Sequence, residues 1–390
     1  MIALQIILFV SVFGILHSYL FFPLLLKWKA QGKSFDADTF TEKTNLPSVS
    51  IIIAAYNEEA VIEEKVNSIF QNDYPTDKIE VLIGSDNSTD STNEICLSLS
   101  EKHNNLHFTS FKQRQGKIQI INKLEKQTKS PILIFTDANV IFGNNSIYEL
   151  IKYFKNDDIG LIDSHMINTG LKKEGISFQE KSYISREVYI KHREGLLWGS
   201  MMGPFGGCYA IRKNLYQDVP INYLVDDFYI CMNVLQHGKK CINNLNAKVY
   251  EDVPNNLGDE FRRKVRIATG DFQNLKHFSN LLWPPWNPIA FCFWSHKALR
   301  WLGPFFLILI IISLGVLAWY YNFYLILTIF TLFIFSLPLF DHLFKKFNIH
   351  NVILRFATHF FTMNLALFTG FIRTLKGVNT NVWQPTKRHQ

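Results

Sequence analysis

Several signatures of common function classes are missing from this 390-residue chain. It has no GxGxxG and no GxxxxGK[ST], so neither a Rossmann dinucleotide fingerprint nor a P-loop is available to cradle a phosphate. Its five cysteines, Cys96, Cys208, Cys231, Cys241 and Cys292, are odd in number and form no CxxC pair. That spacing suits a reducing compartment better than a zinc site or a disulfide framework. The net charge of +7 is diffuse, without a Lys/Arg block, which argues against a nucleic-acid partner. Internal repeats and low-complexity tracts are absent too. His165 and His192 lack metal-ligand spacing and are expected to be packed or solvated.

What the chain does have is apolar excess, including 34 phenylalanines, much of it gathered at the two ends. Residues 2–26 carry no charge and are long enough to cross a bilayer. A buried soluble helix is the plainer alternative, but the length disfavours it. The stretch lacks the basic n-region of a cleaved signal peptide. Lys27 and Lys29 follow at once, so the positive-inside rule places the next segment in the cytoplasm. The sequons at Asn87 and Asn144 fall in that segment and are read as chance.

Residues 28–46 form a polar linker, and a catalytic domain is expected over 47–278. Strand patterns at 49–54, 81–85 and 132–136 alternate with helical ones at 58–71, 91–102 and 117–127. This order predicts an α/β domain with a mostly parallel sheet flanked by helices. Its centre is the run Ile132-Leu133-Ile134-Phe135-Thr136-Asp137-Ala138-Asn139. Four apolar residues lead into a carboxylate and then an amide two positions on, and such oxygens point the same way on extended backbone. Ligands collect at the carboxyl ends of strands in open α/β sheets, and hard cations take such oxygens together with substrate phosphates.

Two further strand ends carry polar loops: Ala55-Tyr56-Asn57-Glu58 and Ser85-Asp86-Asn87-Ser88-Thr89-Asp90. Helix capping by Asn57, Ser88 and Asp90 is the plainer reading of each alone. Taken with Asp137 at a third strand end, a nucleotide crevice explains them better.

In order and spacing, Tyr56-Asn57-Glu58, Asp86 to Asp90, Gly116-Lys117 and Asp137-Ala138-Asn139 resemble glycosyltransferase family 2 with its GT-A fold. Pro204-Phe205-Gly206-Gly207-Cys208-Tyr209-Ala210-Ile211-Arg212 is similar to that family's acceptor segment. Val225-Asp226-Asp227-Phe228 resembles its Glu-Asp motif, and Arg263-Lys264-Val265-Arg266-Ile267 its Gln-Arg-x-Arg-Trp motif. The likeness covers roughly residues 47–278; each motif is weak alone, and the ordered set is strong.

The resemblance implies an inverting transfer from a nucleotide-sugar donor, with uracil as the expected base. Ala55, Tyr56 and Glu58 would hold the nucleoside, Asp86 the base, and Lys117 would lie near the nucleotide. Asp137 and Asn139 would share a divalent cation, Mg2+ or Mn2+, with the diphosphate. Gly206, Gly207 and Asp226 would face the acceptor, Asp227 would be the general base, and Arg263 and Arg266 would face the diphosphate or acceptor. Asn139 and Ile267 depart from the family pattern. The first lowers the expected metal affinity or turns Asn139 to the sugar instead, and the second disfavours processive polymer synthesis.

The chemistry is consistent with these roles. A departing diphosphate builds negative charge that a metal and basic side chains can stabilise. An attacking hydroxyl needs a base, and a carboxylate serves when burial or a like charge raises its pKa. For the Asp226-Asp227 pair, a simple start to a helix at 226–236 is the competing explanation. For Arg262-Arg263-Lys264-Val265-Arg266, a solvated basic face or contact with anionic lipid competes with diphosphate binding.

From residue 279 to 301, tryptophans and basic residues mark a membrane–water interface, and Ser295 to Trp301 resembles the family's interfacial helix. Residues 302–320 and 323–340 are expected to span, with 341–350 returning to the cytoplasm. Residues 352–372 are long enough for a third C-terminal span. A crossing there would put the basic tail 375–390 outside, against the positive-inside rule. The expected whole is an integral membrane enzyme of a bacterial inner membrane. It would act on a lipid-linked or glycan acceptor in envelope synthesis. A processive synthase and a catalytically inactive sugar-nucleotide-binding scaffold are the alternatives.

Overall fold

The structure, a computed structural model, describes all residues except 36–37, 42–44, 170–176, 253–256, 348, 350 and 379–390; at 177–183, 257 and 259 it describes backbone only. Most of the basic tail, residues 379–390, lies outside the described residues. The chain divides into two compact units, one of residues 1–28 and 256–377 and the other built on residues 29–255.

The second unit holds an eight-stranded sheet. Its strands are β1 (Val49–Ala55), β2 (Ile79–Ser85), β3 (Leu106–Ser110), β4 (Ile132–Thr136), β5 (Val140–Phe142), β6 (Ile159–Thr169), β7 (Cys208–Arg212) and β8 (Lys240–Asp252). They lie in the order β3-β2-β1-β4-β7-β6-β8-β5. The first four are mutually parallel, joined by crossovers through the helices Ile62–Phe70, Thr92–Lys102 and Lys117–Glu125. β7 then enters antiparallel between β4 and β6, making the sheet mixed. β4 is buried at all five positions, which is why it reads as an unbroken apolar run rather than an alternating one. β1, β2 and β4 are neighbours, so their carboxyl ends form one rim.

Five strands escape the simple pattern, among them the three-residue β5. β3 is a short edge strand with only Leu106 buried, β6 and β8 carry polar residues such as Asp163 and Asn243 inward, and β7 is a five-residue antiparallel insert. The first helix starts at Ile62 rather than 58. The amides of Asn57, Glu58 and Glu59 instead donate to Ser88 Oγ (3.1 Å), Thr92 Oγ1 (2.8 Å) and Asp90 Oδ2 (3.2 Å).

Among the described residues the other unit is built of helices, most of them apolar. Three helices among the described residues are long and apolar enough to cross a membrane: Ile2–Lys29, Asn322–Lys346 and Val352–Leu375. The expected span at 302–320 is different in detail. Helix Gly303–Ala318 has only 16 residues, short of the ~20 a spanning helix needs, and meets Pro288–Trp301 at a 63° bend. The last helices also depart from expectation, because Asn322–Lys346 continues through Asp341, which pairs with Lys345 at 3.3 Å. Small residues let these helices approach. A Cβ on Gly14 would lie 2.9 Å from Phe306, and one on Gly370 would lie 2.6 Å from Ala268 Cβ. Some polar groups in this unit pair across helices, as between His17 and Ser295 Oγ (2.8 Å) and between Arg300 Nε and Ser18 Oγ (3.3 Å).

Candidate active site

The β1 and β2 loops are stitched to one another. Besides the three amide bonds above, Thr89 N–H donates to Asn57 Oδ1 at 2.8 Å, with Asn57 at φ 54°. Asn57 thus reaches across the rim and is more than a local cap. Asp90 does cap locally, accepting from Thr92 N–H at 3.1 Å.

Asp86 is wholly buried behind this rim. Its carboxylate accepts from Arg114 Nε (3.1 Å), Gln115 N–H (2.7 Å) and Gly116 N–H (3.0 Å). The Arg114 guanidinium lies 3.3 Å from the centre of the Tyr56 ring. Asp86 therefore shapes the segment that enters helix Lys117–Glu125 through Gly116, whose φ of 89° suits glycine. The motif alone did not reveal that organising role. Ala55 is buried, and Tyr56 and Glu58 are half-exposed on the same rim.

One residue past that glycine, Lys117 Nζ donates to Asp137 Oδ1 at 2.6 Å. Burial alone would lower the Lys117 pKa, but the charges of Asp137, Asp226 and Asp227 together with this bond raise it well above its ordinary value. One acid thus bonds this amine directly, and two more act on it through their charge. Asp226 and Asp227 open helix Asp226–Gln236, as expected. Burial, then the like charge of Asp226, pushes the Asp227 carboxyl up to about 6, against the Phe228 amide and the charges of Lys117 and Lys191.

The segment before β7 runs between the acids. Gly207 O accepts from Asp137 N–H at 3.0 Å. A Cβ on Gly206, at φ +75°, would lie 2.5 Å from Asp227 Oδ2. Gly206 therefore leaves beside the Asp227 carboxylate the space that a side chain would fill, while the Gly207 carbonyl anchors the Asp137 backbone. Gly206→Ala is expected to cut kcat by about 100-fold through displacement of Asp227, with a much smaller change in nucleotide Kd. Steady-state kinetics beside nucleotide titration checks this.

Asn139 is buried and donates to Glu251 Oε1 at 3.0 Å. This contact depends on the antiparallel register of β5 with β8, in which Val140 faces Glu251. Among the described residues no group of three His, Cys, Asp or Glu side chains could hold a metal ion. The donor set nonetheless fits a magnesium-like ion that takes most of its oxygens from a bound diphosphate. Asp137 keeps 38% of its side chain exposed beside Lys117, and Asn139 can add a neutral oxygen.

Residues beneath the site were not legible as motifs. Asp163 on β6 is fully buried, 3.8 Å from Lys191 Nζ, and accepts from Phe205 N–H (3.3 Å) and Asn243 Nδ2 (3.3 Å). Burial pushes its carboxyl up to about 6, against the charge of Lys191 and these bonds. Glu194 accepts from Met202 N–H at 3.1 Å, a few residues before the glycine segment. His165 and His192 bond carbonyls of Leu245 and Asn243, each at 2.9 Å. Arg263 and Arg266 lie on helix Leu257–His277, which belongs to the apolar unit, where Arg263 pairs with Glu260 at 3.6 Å.

A family model described as glycosyl transferase family 2 matches residues 50–219, and one described as glycosyl transferase family group 2 matches residues 139–340, just over half of the chain. The beta-monoglucosyldiacylglycerol synthase of Nostoc sp. is 26% identical over 157 residues, 40% of this chain and 34% of that protein. The poly-beta-1,6-N-acetyl-D-glucosamine synthase of Staphylococcus aureus is 24% identical over 273 residues, 68% of this chain and 64% of that protein. The chain thus spans about a third of the first relative and just under two thirds of the second. Among solved structures, the mannosyltransferase PcManGT from Pyrobaculum calidifontis, in complex with GDP-Man and Mn2+, superposes with a TM-score of 0.69 at 21% identity, over 95% of this chain and 99% of that one. At that identity the likeness is one of fold, the GT-A fold.

Proposed function

The chain belongs to glycosyltransferase family 2, and from that premise we propose that it is an inverting, metal-dependent transferase anchored in a membrane. It would move a sugar from a nucleoside-diphosphate donor, UDP-linked by our reading, to a lipid-linked or glycan acceptor in envelope synthesis. The observation that carries this reading is the 2.6 Å ion pair of Lys117 with Asp137 at the end of β4, with Asp226 and Asp227 near enough for their charges to act on the same amine.

In the proposed reaction the acceptor hydroxyl oxygen bonds to the anomeric carbon while the bond from that carbon to the β-phosphate oxygen breaks. The hydroxyl proton passes to Asp227, and the electron pair leaves with the diphosphate. A divalent cation held by Asp137 and Asn139 would, when bound, neutralise charge on the diphosphate. Lys117 adds a second positive group to the same oxygens. Asp226 faces the acceptor side, Tyr56 and Glu58 line the nucleoside, and Arg263 and Arg266 are assigned to the diphosphate.

The three apolar helices support a membrane anchor, and Lys27 with Lys29 supports a cytoplasmic catalytic unit at a bacterial inner membrane. A processive reading has one observation in its favour, the synthase relative that aligns over 68% of the chain; Ile267 opposes it. Product length on a labelled donor separates the two.

Asp137→Ala is expected to weaken UDP binding in Mn2+ by about 10- to 100-fold and to leave the weaker binding in EDTA nearly unchanged. Calorimetry on the full chain in detergent, run with UDP and GDP, checks both the metal role and the nucleotide. Equal affinities of wild type and variant in Mn2+ would remove the metal assignment.

A further inference from the structure

Lys65 lies on the inner stripe of helix Ile62–Phe70 with Ile62, Val66 and Ile69, and it is completely buried. Burying an amine is costly unless protein groups replace the lost water, and a leucine or methionine would fill this face without that cost. The amine is surrounded in a specific way. Nζ donates to Thr136 Oγ1 at 2.8 Å and to the Val140 carbonyl, and it sits 3.9 Å from the centre of the Phe142 ring.

Those partners bracket the acid turn. Thr136 is the residue before Asp137, and Val140 is the residue after Asn139. Within the turn, Val140 N–H donates back to Asp137 O at 3.3 Å. On the acceptor side, Thr136 Oγ1 also bonds Gly207 O at 3.0 Å. One buried amine therefore holds both ends of the Asp137-Ala138-Asn139 turn from below and reaches the glycine segment through one hydroxyl.

We propose that Lys65 is a positioning residue for this turn: by fixing Thr136 and Val140, its amino group sets where the Asp137 carboxylate meets the donor. The proposal rests on the assignment of Asp137 to the metal-bound diphosphate. A general packing role would lower stability wherever the amine sat. A positioning role acts through Asp137 and disappears when Asp137 is neutralised.

A double-variant cycle separates the two. Full-length wild type, Lys65→Met, Asp137→Asn and the double variant are purified in detergent. Each is titrated calorimetrically with UDP and with GDP, in Mn2+ and in EDTA. Lys65→Met is expected to weaken Mn2+-dependent nucleotide affinity by about 10- to 100-fold, and by less than about twofold in the Asp137→Asn background. Losses of equal size in both backgrounds overturn the proposal, as does wild-type affinity in Lys65→Met. If Lys65→Met does not fold, Thr136→Val removes one acceptor of the same amine and is expected to act in the same direction; no effect there overturns the proposal. Unchanged Mn2+-nucleotide affinity in Asp137→Asn alone overturns the metal assignment itself, and this proposal with it.

Discussion

Replacing Asp227 by Asn is expected to lower sugar transfer by about a thousandfold or more while nucleotide affinity stays within about twofold. General-base catalysis by a positioned side chain contributes roughly 10²- to 10⁴-fold, and an amide of the same shape cannot accept the proton. Asp227 Oδ1 accepts from the Phe228 amide at 2.7 Å, a bond that the Asn oxygen can keep. The loss therefore falls on chemistry and not on folding. The same carboxyl, held at about 6 by burial and by Asp226, sets a pH limb. Below pH 6 the base is protonated, so kcat/KM should fall about tenfold per pH unit and level off above pH 7.

The stability effect has the opposite sign. The folded-state pKa lies above the ordinary carboxyl value, so the native state holds a proton that the unfolded chain releases between about pH 4 and pH 6. Stability contributed by this group is complete below that window and is lost as pH rises through it. Asp227→Asn should then melt slightly above wild type at pH 7.5 and show no such gain at pH 4. An inactive variant with a higher Tm is the pattern of a residue placed for reaction at the expense of the fold. Unchanged turnover in Asp227→Asn would end the base assignment.

The parts of this site that could be read in advance are the ones encoded locally. Asp137 follows an unbroken apolar strand, and Asp226 with Asp227 begins a helix, so neighbouring residues announce each. Lys65 stands on an amphipathic stripe with Ile62, Val66 and Ile69, and a single lysine in such a stripe is easily read as a boundary residue. Its partners lie about seventy positions away, and only the pairing of β4 with β1 brings them near. The Asp163, Lys191 and Asn243 group is hidden for a related reason, since its members come from a strand, a helix and another strand. Asn139 shows the same limit. Its motif position suggests a ligand, while its bond to Glu251 depends on the register of β5 with β8. Periodicity reports which face of an element is buried, and long-range register decides what waits there.

Asp86 offers the sharpest division between a motif role and a structural one. The resemblance assigns it to the base of the donor. In the fold its two oxygens already accept from three donors, one of them the Arg114 guanidinium. Asp86→Ala would leave two backbone amides and one charged group without the buried acceptor they share. Breaking one side of a buried pair costs about 3–5 kcal/mol. Arg114 keeps 23% of its side chain exposed, so the lower end of that range applies. The damage should also spread along the chain. Gly116 N–H is one of the stranded donors, and Lys117, the next residue, is the group that pairs with Asp137. We therefore expect Asp86→Ala to lose roughly 3 kcal/mol in denaturant unfolding and to weaken UDP and GDP binding alike by about 100-fold. A variant of normal stability that merely changed preference between the two nucleotides would show the opposite. Asp86 would then read the base, and the 114–116 segment would hold its shape without it.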